Sequence, residues 1–350
     1  MSRRRTTVVC ASVLLVVLTC VAFLLPVPYV TFKPGPTFDA LGSYDDKPVI
    51  EIGAGAKTYE TSGSLSLTTV SVTRPDSRIS LVEAFVSYFD SDDALVPRDL
   101  VYPEGETVEQ AEEQTAAQMS GSQLTSEAAA LEAAGYPVDS VLEVATVTED
   151  GPSDGVLEPG DVIRAVAGTT VRTSARAAEA IAGNTPGSDV RLRIVRDDEP
   201  RTVTVTTIPD QVDGSKARVG ITLGESLDLP FTIENNLGRD IGGPSAGSMF
   251  ALAIYDKLTR GDLTGGRQVA GTGEIEADGT IIAIGGIHQK IVGAAESGAS
   301  VFLVPADNCA EAVAGGDEGM TLVKMSELED AIASLETLAE DPDAKVASCS

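Results

Sequence analysis

Two periodicities in the positions of apolar residues divide this chain into strands and helices. Apolar and polar residues alternate over 63–72, as they do in a half-buried strand. Apolar residues recur three and four positions apart over 81–89, after Ser245 and again after Gly286, which predicts helices there. An Ala- and Glu-rich segment predicts a longer helix over 106–134. Because both patterns occur along the chain, we expect an α+β fold class.

The longest apolar run covers 8–25, carries no charge and follows Arg3, Arg4 and Arg5. About 18 residues of helix span about 27 Å, just enough for a bilayer core. Basic residues stay on the cytoplasmic side of a membrane, so everything after the run is expected outside. The alternative is a cleaved signal peptide, but the run ends in Pro-Val-Pro without a small-residue cleavage site. We therefore expect a single-pass cell-membrane anchor within residues 1–30.

A second module is predicted over 135–209. A signature of the form L-x-P-G-D-x-I lies within it, at 157–163. Its predicted elements, in order, are a strand at 140–147, the signature, a helix at 173–182, and strands at 189–195 and 201–208. This order resembles a PDZ domain of the permuted kind found in exported bacterial proteases, a small β-sandwich or barrel. Such modules bind a peptide as an added strand, and we expect the cradle for its terminal carboxylate at 135–138.

Composition and charge exclude several classes of function. The net charge of −28 repels nucleic acid and anionic membrane surfaces, so no nucleic-acid partner is expected. The single histidine, His288, rules out a multi-histidine metal site, and no cofactor is expected. The four cysteines lack C-x-x-C spacing. Outside the membrane, Cys309 and Cys349 either form a disulfide or remain free thiols.

The segment 240–247 carries the first candidate for catalysis. A Gly- and Pro-rich turn brings Ser245 to the start of a helix, where backbone N–H groups lack intrahelical partners and can stabilise an oxyanion. A serine hydroxyl needs a base. Lys290 lies in the first turn of a later helix, beside Ile284, Ile287 and Ile291. An apolar environment lowers the pKa of a lysine and allows it to act as that base.

Three motifs together resemble the proteolytic domain of Lon proteases. They are Gly-Pro-Ser-Ala-Gly at 243–247, Thr-Gly-Glu-Ile at 272–275 and Gly-Gly-Ile-His-Gln-Lys at 285–290. With the anchor and the PDZ-like part, nearly the whole chain resembles the PDZ-Lon proteins of bacterial membranes. The resemblance implies a Ser-Lys dyad of Ser245 and Lys290 acting on protein or peptide substrates. It also implies a homo-oligomer, because Lon-type domains commonly form rings of six.

The chain also departs from the Lon pattern. Gly242 holds the position of an acidic residue that Lon proteases often have, and Asp240 is a weak substitute. A P-loop motif is absent from the sequence, so ATP-driven unfolding of substrates is not expected. Thr272 is a candidate hydrogen-bond partner of the dyad, Glu274 either orients Lys290 or is a strand-end charge, and His288 is expected to be structural or on the surface.

The sequence thus predicts five segments: an anchor at 1–30, an N-terminal part at 31–134, a PDZ-like domain at 135–209, a Lon-type proteolytic domain at 217–340 and a tail at 341–350. The early strand resembles one in Lon domains, so we favour 31–134 as the first half of the protease domain over an independent domain. The expected function is that of an ATP-independent, membrane-anchored serine endopeptidase. The alternatives are a non-catalytic PDZ scaffold that binds peptide termini and, less favoured because S-x-x-K spacing is absent, another class of Ser-Lys hydrolase.

Overall fold

A computed structural model describes residues 3–103, 105, 107–171, 174–197, 199–210, 213–237 and 241–349. The helices of this part of the chain are Arg3–Leu24 (α1), Leu81–Phe89 (α2), Arg98–Val101 (α3), Val108–Ala133 (α4), Ser174–Ala182 (α5), Gly247–Leu258 (α6), Ile287–Glu296 (α7), Cys309–Gly315 (α8) and Leu328–Glu340 (α9). The strands are Tyr29–Asp39 (β1), Ser43–Tyr44 (β2), Lys47–Pro48 (β3), Ile50–Ile52 (β4), Ser64–Val72 (β5), Ala94–Pro97 (β6), Asp139–Val147 (β7), Val162–Val166 (β8), Thr169–Thr170 (β9), Asp189–Arg196 (β10), Glu199–Thr206 (β11), Ile208–Pro209 (β12), Ala217–Arg218 (β13), Ile221–Asp228 (β14), Ile233–Asn235 (β15), Gln268–Gly271 (β16), Glu274–Ile275 (β17), Ile281–Ile282 (β18), Val301–Pro305 (β19) and Thr321–Met325 (β20).

The chain folds into two compact units. The first combines Met1–Tyr136 with Phe231–Ser350, and the second is the segment Pro137–Pro230 between them. The second unit is therefore an insertion into the first. Within the first unit, the segment before the insertion supplies β1 and β5 to the same sheet as β16, β19 and β20, which follow it.

The first unit is built on a six-stranded sheet in the order β20-β19-β16-β5-β1-β6. Strand β5 joins the two halves: it pairs in parallel with β16 and antiparallel with β1. The alternating pattern predicted for β5 is present, because Leu65 and Leu67 are buried in the core together with Phe250 of α6 and Phe302 of β19. This sheet holds α6 and α7, the two helices that carry the candidate catalytic residues.

One predicted strand differs from the structure. The sequence pattern predicts a continuous strand over 269–275, whereas β16 ends at Gly271 and β17 pairs with β18 in a separate two-stranded sheet. The backbone leaves the sheet at Thr272 and Gly273, because both residues donate hydrogen bonds to the carbonyl of Ser245. The need to hold the serine turn thus overrides the local β propensity.

The second unit is a sheet in the order β11-β10-β8-β7-β14, with β9 paired to β8 and helix α5 packed on β8 and β14. Its signature aspartate, Asp161, receives hydrogen bonds of 2.6 and 2.7 Å from the guanidinium of Arg196. This pair ties the loop before β8 to the end of β10. The unit extends to residue 230 rather than 209, because β14 is needed to complete its sheet beside β7. Residues 217–228 therefore do not belong to the proteolytic fold, contrary to the sequence prediction.

Each end of the chain carries one further feature. Helix α1 is exposed along its length and, over Arg5–Leu24, is long and apolar enough to cross a membrane or to serve as a signal sequence. At the other end, residues predicted as a tail add to the edge of β20, where the N–H of Cys349 donates to the Leu322 carbonyl. Cys349 also forms a disulfide with Cys309 at the start of α8, the first of the two alternatives left open by the sequence.

Candidate active site

Ser245 lies in a short 3-10 turn, Pro244–Ala246, directly before α6. The turn is entered through Gly243, whose φ of +91° lies in the left-handed region that favours glycine. Gly247 N–H donates the first helical hydrogen bond, to the carbonyl of the first residue of the turn. The N–H groups of the turn therefore precede the hydrogen-bonded helix and lie at the positive end of its dipole.

Lys290 reaches this turn from α7. Its Nζ lies 2.9 Å from Ser245 Oγ and donates a second hydrogen bond of 2.8 Å to the Thr68 carbonyl. The side chain is only 3% exposed, packed in a helix face with the fully buried Ile287 and Ile291. Burial disfavours the ammonium form and lowers the pKa of Lys290 from 10.5 to about 8. The two residues that the sequence selects from distant motifs are thus in hydrogen-bond contact.

Two hydrogen bonds fix the backbone of Ser245. Its carbonyl accepts hydrogen bonds from Thr272 Oγ1 at 2.9 Å and from Gly273 N at 2.8 Å. Thr272, predicted as a hydrogen-bond partner of the dyad, donates its hydroxyl to the backbone carbonyl of Ser245 rather than to the side chain of Ser245 or Lys290. Thr272 is fully buried, so it can orient the turn without taking part in proton transfer.

Helix α4 holds the same turn from a second direction, through residues that the sequence analysis missed. Ser122 Oγ donates a 2.8 Å hydrogen bond to the Pro244 carbonyl, and the N–H of Gly243 donates to the Thr115 carbonyl. Ser122 is buried, and a Cβ on Gly247 would lie 2.7 Å from its Oγ. The only sequence signal was the run of small residues around position 122, which permits two helices to approach closely.

The same packing explains the missing acidic residue. A Cβ at Gly242 would collide with the methyl group of Thr115, so no acidic side chain fits there while α4 keeps its position. Asp240, the weak substitute, lies outside the described residues. Glu274 lines the cavity in front of the serine. His288 is turned away, with Nε2 3.0 Å from the carbonyl of Ser91, which agrees with a structural position.

A cavity of about 820 Å³ opens in front of the dyad. One side is formed by β5 and another by the loop that leads into α7. Its lining residues are Phe32, Pro36, Phe38, Tyr44, Leu67, Thr68, Thr69, Val70, Ser71, Val72, Met119, Ile241, Gly242, Pro244, Ser245, Ala246, Glu274, Ala283, Ile284, Gly285 and Lys290. The cavity is mostly apolar, and the hydroxyl and the amine of the dyad lie at its wall.

The loop before α7 is fixed by Asn308. Its side-chain oxygen accepts from the N–H of Ile284 and its amide nitrogen donates to the carbonyl of Ile284, both at 2.9 Å. The chain then turns through Gly286, with φ of +71°, into the helix that carries Lys290. Asn308 was also missed by the sequence analysis, since it lies next to Cys309 and far from the three motifs.

The inserted unit has its own candidate site, but not where the sequence placed it. The residues before β7 were expected to hold a peptide terminus beside that strand. In the structure β7 is an inner strand, paired with β14 from Val147 to Asp139 on one side and with β8 on the other. In the described sheet the edge strands are β11 and β14, and of these β14 is preceded by Gly220 with φ of +71° and packs against α5. The expectation for 135–138 is therefore wrong.

Comparison with family models identifies both parts of the chain. Residues 121–207 match the PDZ domain, and residues 238–335 match the Lon protease (S16) C-terminal proteolytic domain. The first match begins within α4, although α4 belongs to the first compact unit, into which the second is inserted. The second match contains both residues of the dyad.

Comparison with individual proteins gives partial matches. Lon protease 2 of Herpetosiphon aurantiacus is 38% identical over 85 residues, which are 24% of this chain and 10% of that protein. Lon protease of Helicobacter pylori is 31% identical over 124 residues, which are 33% of this chain and 14% of that protein. Among solved structures, the PDZ domain of an SdrC-like protein from Listeria monocytogenes is 25% identical, with a TM-score of 0.22, and the match covers 23% of this chain and 85% of that domain.

Proposed function

We propose that this chain is an ATP-independent, membrane-anchored serine endopeptidase. It joins a PDZ domain to a Lon-type C-terminal proteolytic domain. The observation that carries the proposal is the 2.9 Å distance between the buried amine of Lys290 and the hydroxyl of Ser245. An amine whose pKa is lowered to about 8 is partly neutral at physiological pH. It can therefore accept the proton that a serine must lose to become a nucleophile.

In the first half of the reaction, neutral Lys290 Nζ takes the proton from Ser245 Oγ, and Oγ forms a bond to the scissile carbonyl carbon. The carbonyl oxygen becomes an oxyanion, which the N–H groups of the serine turn, at the start of α6, stabilise. The C–N bond then breaks, and the lysine ammonium returns its proton to the leaving amine. An acyl-enzyme on Ser245 remains.

In the second half, Lys290 is again neutral and takes a proton from an incoming water. The resulting hydroxide attacks the ester carbonyl, and the C–O bond to Ser245 breaks. The lysine then returns the proton to Ser245 Oγ. The bonds of Thr272 and Gly273 to the serine carbonyl keep the turn in place while this proton moves back and forth.

Strand β5 offers a backbone edge for an extended substrate. The Leu65 carbonyl accepts from Ala40 on the β1 side, whereas the Thr68 carbonyl accepts from Lys290 on the opposite side. By alternation, the backbone groups of Val70 and Val72 also face away from β1. In the described structure β16 pairs with β5 only as far as Leu67, so this edge is open to an unfolded segment along the cavity wall.

The inserted PDZ domain supplies peptide recognition. Its open strand β14 and the neighbouring helix α5 form the edge at which an extended peptide end can add as a further strand. The turn before β14, at Val219 and Gly220, takes the place of 135–138 as the expected cradle for a terminal carboxylate. We assign to this site the capture of a protein or peptide end before cleavage in the other unit.

The location and partners of the enzyme follow from α1 as a proposed membrane span. Arg3, Arg4 and Arg5 keep its N-terminus in the cytoplasm, so the proteolytic part lies outside the membrane and its substrates are exported or membrane-tethered proteins. The disulfide between Cys309 and Cys349 suits an oxidising space. Independence from ATP and assembly into a hexamer remain predictions made from the sequence. The geometry of the site bears on neither.

The test is cleavage of an unfolded protein by the full-length chain in lipid nanodiscs. Reduced, fluorescein-labelled casein serves as the probe. Ser245→Ala and Lys290→Met remove the nucleophile and the base. Ser248→Ala and Lys257→Met are matched controls: Ser248 is a buried serine in the first turn of α6, and Lys257 is a partly buried lysine that donates a hydrogen bond to a backbone carbonyl.

We expect cleavage to be lost in Ser245→Ala and Lys290→Met and retained in both controls. Equal cleavage by all variants would reject the dyad. If the wild type cleaves nothing and yet binds peptides with free C-termini, the scaffold alternative replaces the enzyme.

A further inference from the structure

Helix α2 has its apolar side chains on the wrong face for a soluble protein. The side chains that it buries against the fold are Ala84 and Ser87, at 7% and 2% exposure. The large apolar side chains point outward, with Phe85, Tyr88 and Phe89 at 63%, 72% and 71% exposure. Contiguous exposed apolar surface of this kind marks an interaction site rather than ordinary surface.

The outward aromatic rings form one continuous patch. The centroid of Phe89 lies 4.9 Å from that of Phe85 and 5.2 Å from that of Tyr88. The only charged side chain within the helix, Glu83, is held back at the helix start by its hydrogen bond to the Ser80 N–H. Within α2 the patch therefore presents aromatic and aliphatic groups without a charge among them, and Asp90, directly after the helix, lies at its end beside Phe85, Val86 and Phe89.

The position of α2 in the chain decides what covers it. The N–H of Leu81, the first residue of α2, donates to the carbonyl of Leu25, and Val27 N–H donates to the Ile79 carbonyl. Helix α2 also packs directly on α1. The apolar segment Arg5–Leu24 has 20 residues, which is about 30 Å of helix and matches the hydrocarbon thickness of a bilayer. Leu25, and with it the start of α2, is thereby set at the boundary between acyl chains and headgroups.

We infer that α2 is an interfacial helix that seats the proteolytic unit on the outer leaflet of the membrane crossed by α1. Aromatic side chains are favoured at this depth, and amphipathic helices there lie about 5–10 Å into the boundary region. Attraction to charged lipids does not contribute, because the chain carries a net charge of −28. The occupant of the patch is thus the zwitterionic lipid surface itself. This inference rests on the proposed membrane span.

The absence of tryptophan from the sequence permits a direct test. Phe89→Trp places a single reporter in the patch of the full-length chain in phosphatidylcholine vesicles, with and without lipids brominated near the glycerol end of the acyl chains. Ala333→Trp is the matched control, on the exposed side of α9 beside β20, at the opposite edge of the sheet from β1 and β6. Leu15→Trp, midway along the span, reports on the span itself in lipids brominated near the methyl ends of the acyl chains. Circular dichroism checks that each variant keeps the wild-type fold.

We expect brominated lipid to reduce the fluorescence of Phe89→Trp at least about twofold, as suits a side chain within the acyl boundary, with no effect of added salt and no quenching of Ala333→Trp. If Leu15→Trp is quenched and Phe89→Trp is not, the interfacial helix is refuted and the anchor stands. A blue-shifted but unquenched Phe89→Trp would show that protein, a second copy included, covers the patch. If Leu15→Trp is not quenched either, the membrane span fails with the inference.

Discussion

The dependence of cleavage on pH is the sharpest consequence of the site. Burial lowers the pKa of Lys290 from 10.5 to about 8. At pH 7.4 a lysine with a pKa of 8 is about one-fifth neutral, whereas an ordinary lysine is neutral in about one molecule in a thousand. The buried position of Lys290 thus raises the population of its neutral amine about 250-fold.

The direction of the pH effect follows from the form of the lysine that reacts. Only neutral Lys290 accepts a proton, so kcat/KM is expected to rise about tenfold per pH unit below the pKa and to level off above about pH 8. The assay is the initial rate of casein cleavage between pH 6 and pH 9.5 at constant ionic strength. His288→Gln is the control, because His288 is the single histidine of the chain and stands two residues before Lys290.

Two results would refute the reasoning. An inflection that disappears in His288→Gln would assign the base to the imidazole. A rate that still rises steeply above about pH 9 would mean that the amine of Lys290 remains hydrated and keeps an ordinary lysine pKa.

The same burial has a consequence for stability. Because the pKa of Lys290 is lower in the folded state, the unfolded state takes up a proton between about pH 8 and the ordinary value of 10.5. This contribution to the free energy of unfolding is complete above about pH 10.5 and is lost as the pH falls through about 8, a change of about 3 kcal/mol. Lys290→Met should lack this pH dependence while losing activity, which denaturation of both forms at pH 7 and pH 10 would check.

Three further predictions concern the residues that hold the site. Ser122→Ala should lower kcat about tenfold with little change in KM, because the Pro244 carbonyl loses its clamp and the serine turn shifts; steady-state cleavage kinetics measure this. Asn308→Ala should reduce the free energy of unfolding by about 1–3 kcal/mol, because the N–H and carbonyl of Ile284 lose their partners; urea denaturation measures this. Cys349→Ser opens a loop with a sequence separation of 40 and should cost about 4 kcal/mol, seen as a lower Tm under oxidising conditions.

Two of these three variants have a matched control, and each of the three has an outcome that would contradict the prediction. Ser120→Ala removes an exposed hydroxyl of the same helix and should leave kcat unchanged; a rise in KM at constant kcat in Ser122→Ala would oppose the clamp. If Asn308→Ala is as stable as wild type, the loop before α7 is held by other contacts. Cys20→Ser removes a free thiol of α1, and a wild type whose Tm is unaffected by reductant would contradict the role of the disulfide.

Some features of this protein are local and were predicted from the sequence. Helix α2 was predicted over the residues where it forms, and α6 and α7 start where the glycine-rich turns before them end. Helices close their hydrogen bonds within four residues, so their periodicity and their start signals lie in one short window. Ser245 and Lys290 were selected by the same means, because each stands at a fixed place in a short motif.

Other features depend on contacts between distant segments. The edge position of β14 arises from its pairing with β7, and no residue near either strand specifies that pairing. This is why the peptide cradle was expected at the wrong strand. The break in the predicted strand at Thr272 arises likewise from a bond to the turn of Ser245, 27 positions away.

The sequence by itself therefore determined the apolar N-terminal helix, several other helices and the choice of Ser245 and Lys290 as the proposed dyad. Tertiary structure decided where those two side chains lie and what surrounds them. Ser122 lies 122 positions from Pro244, whose carbonyl accepts its hydrogen bond. Thr68 lies 222 positions from Lys290, whose amine donates to its carbonyl. Both residues reach the site only in the folded chain. The physical reason is that burial and hydrogen-bond geometry belong to the packed fold, whereas a motif records only the order of residues along the chain.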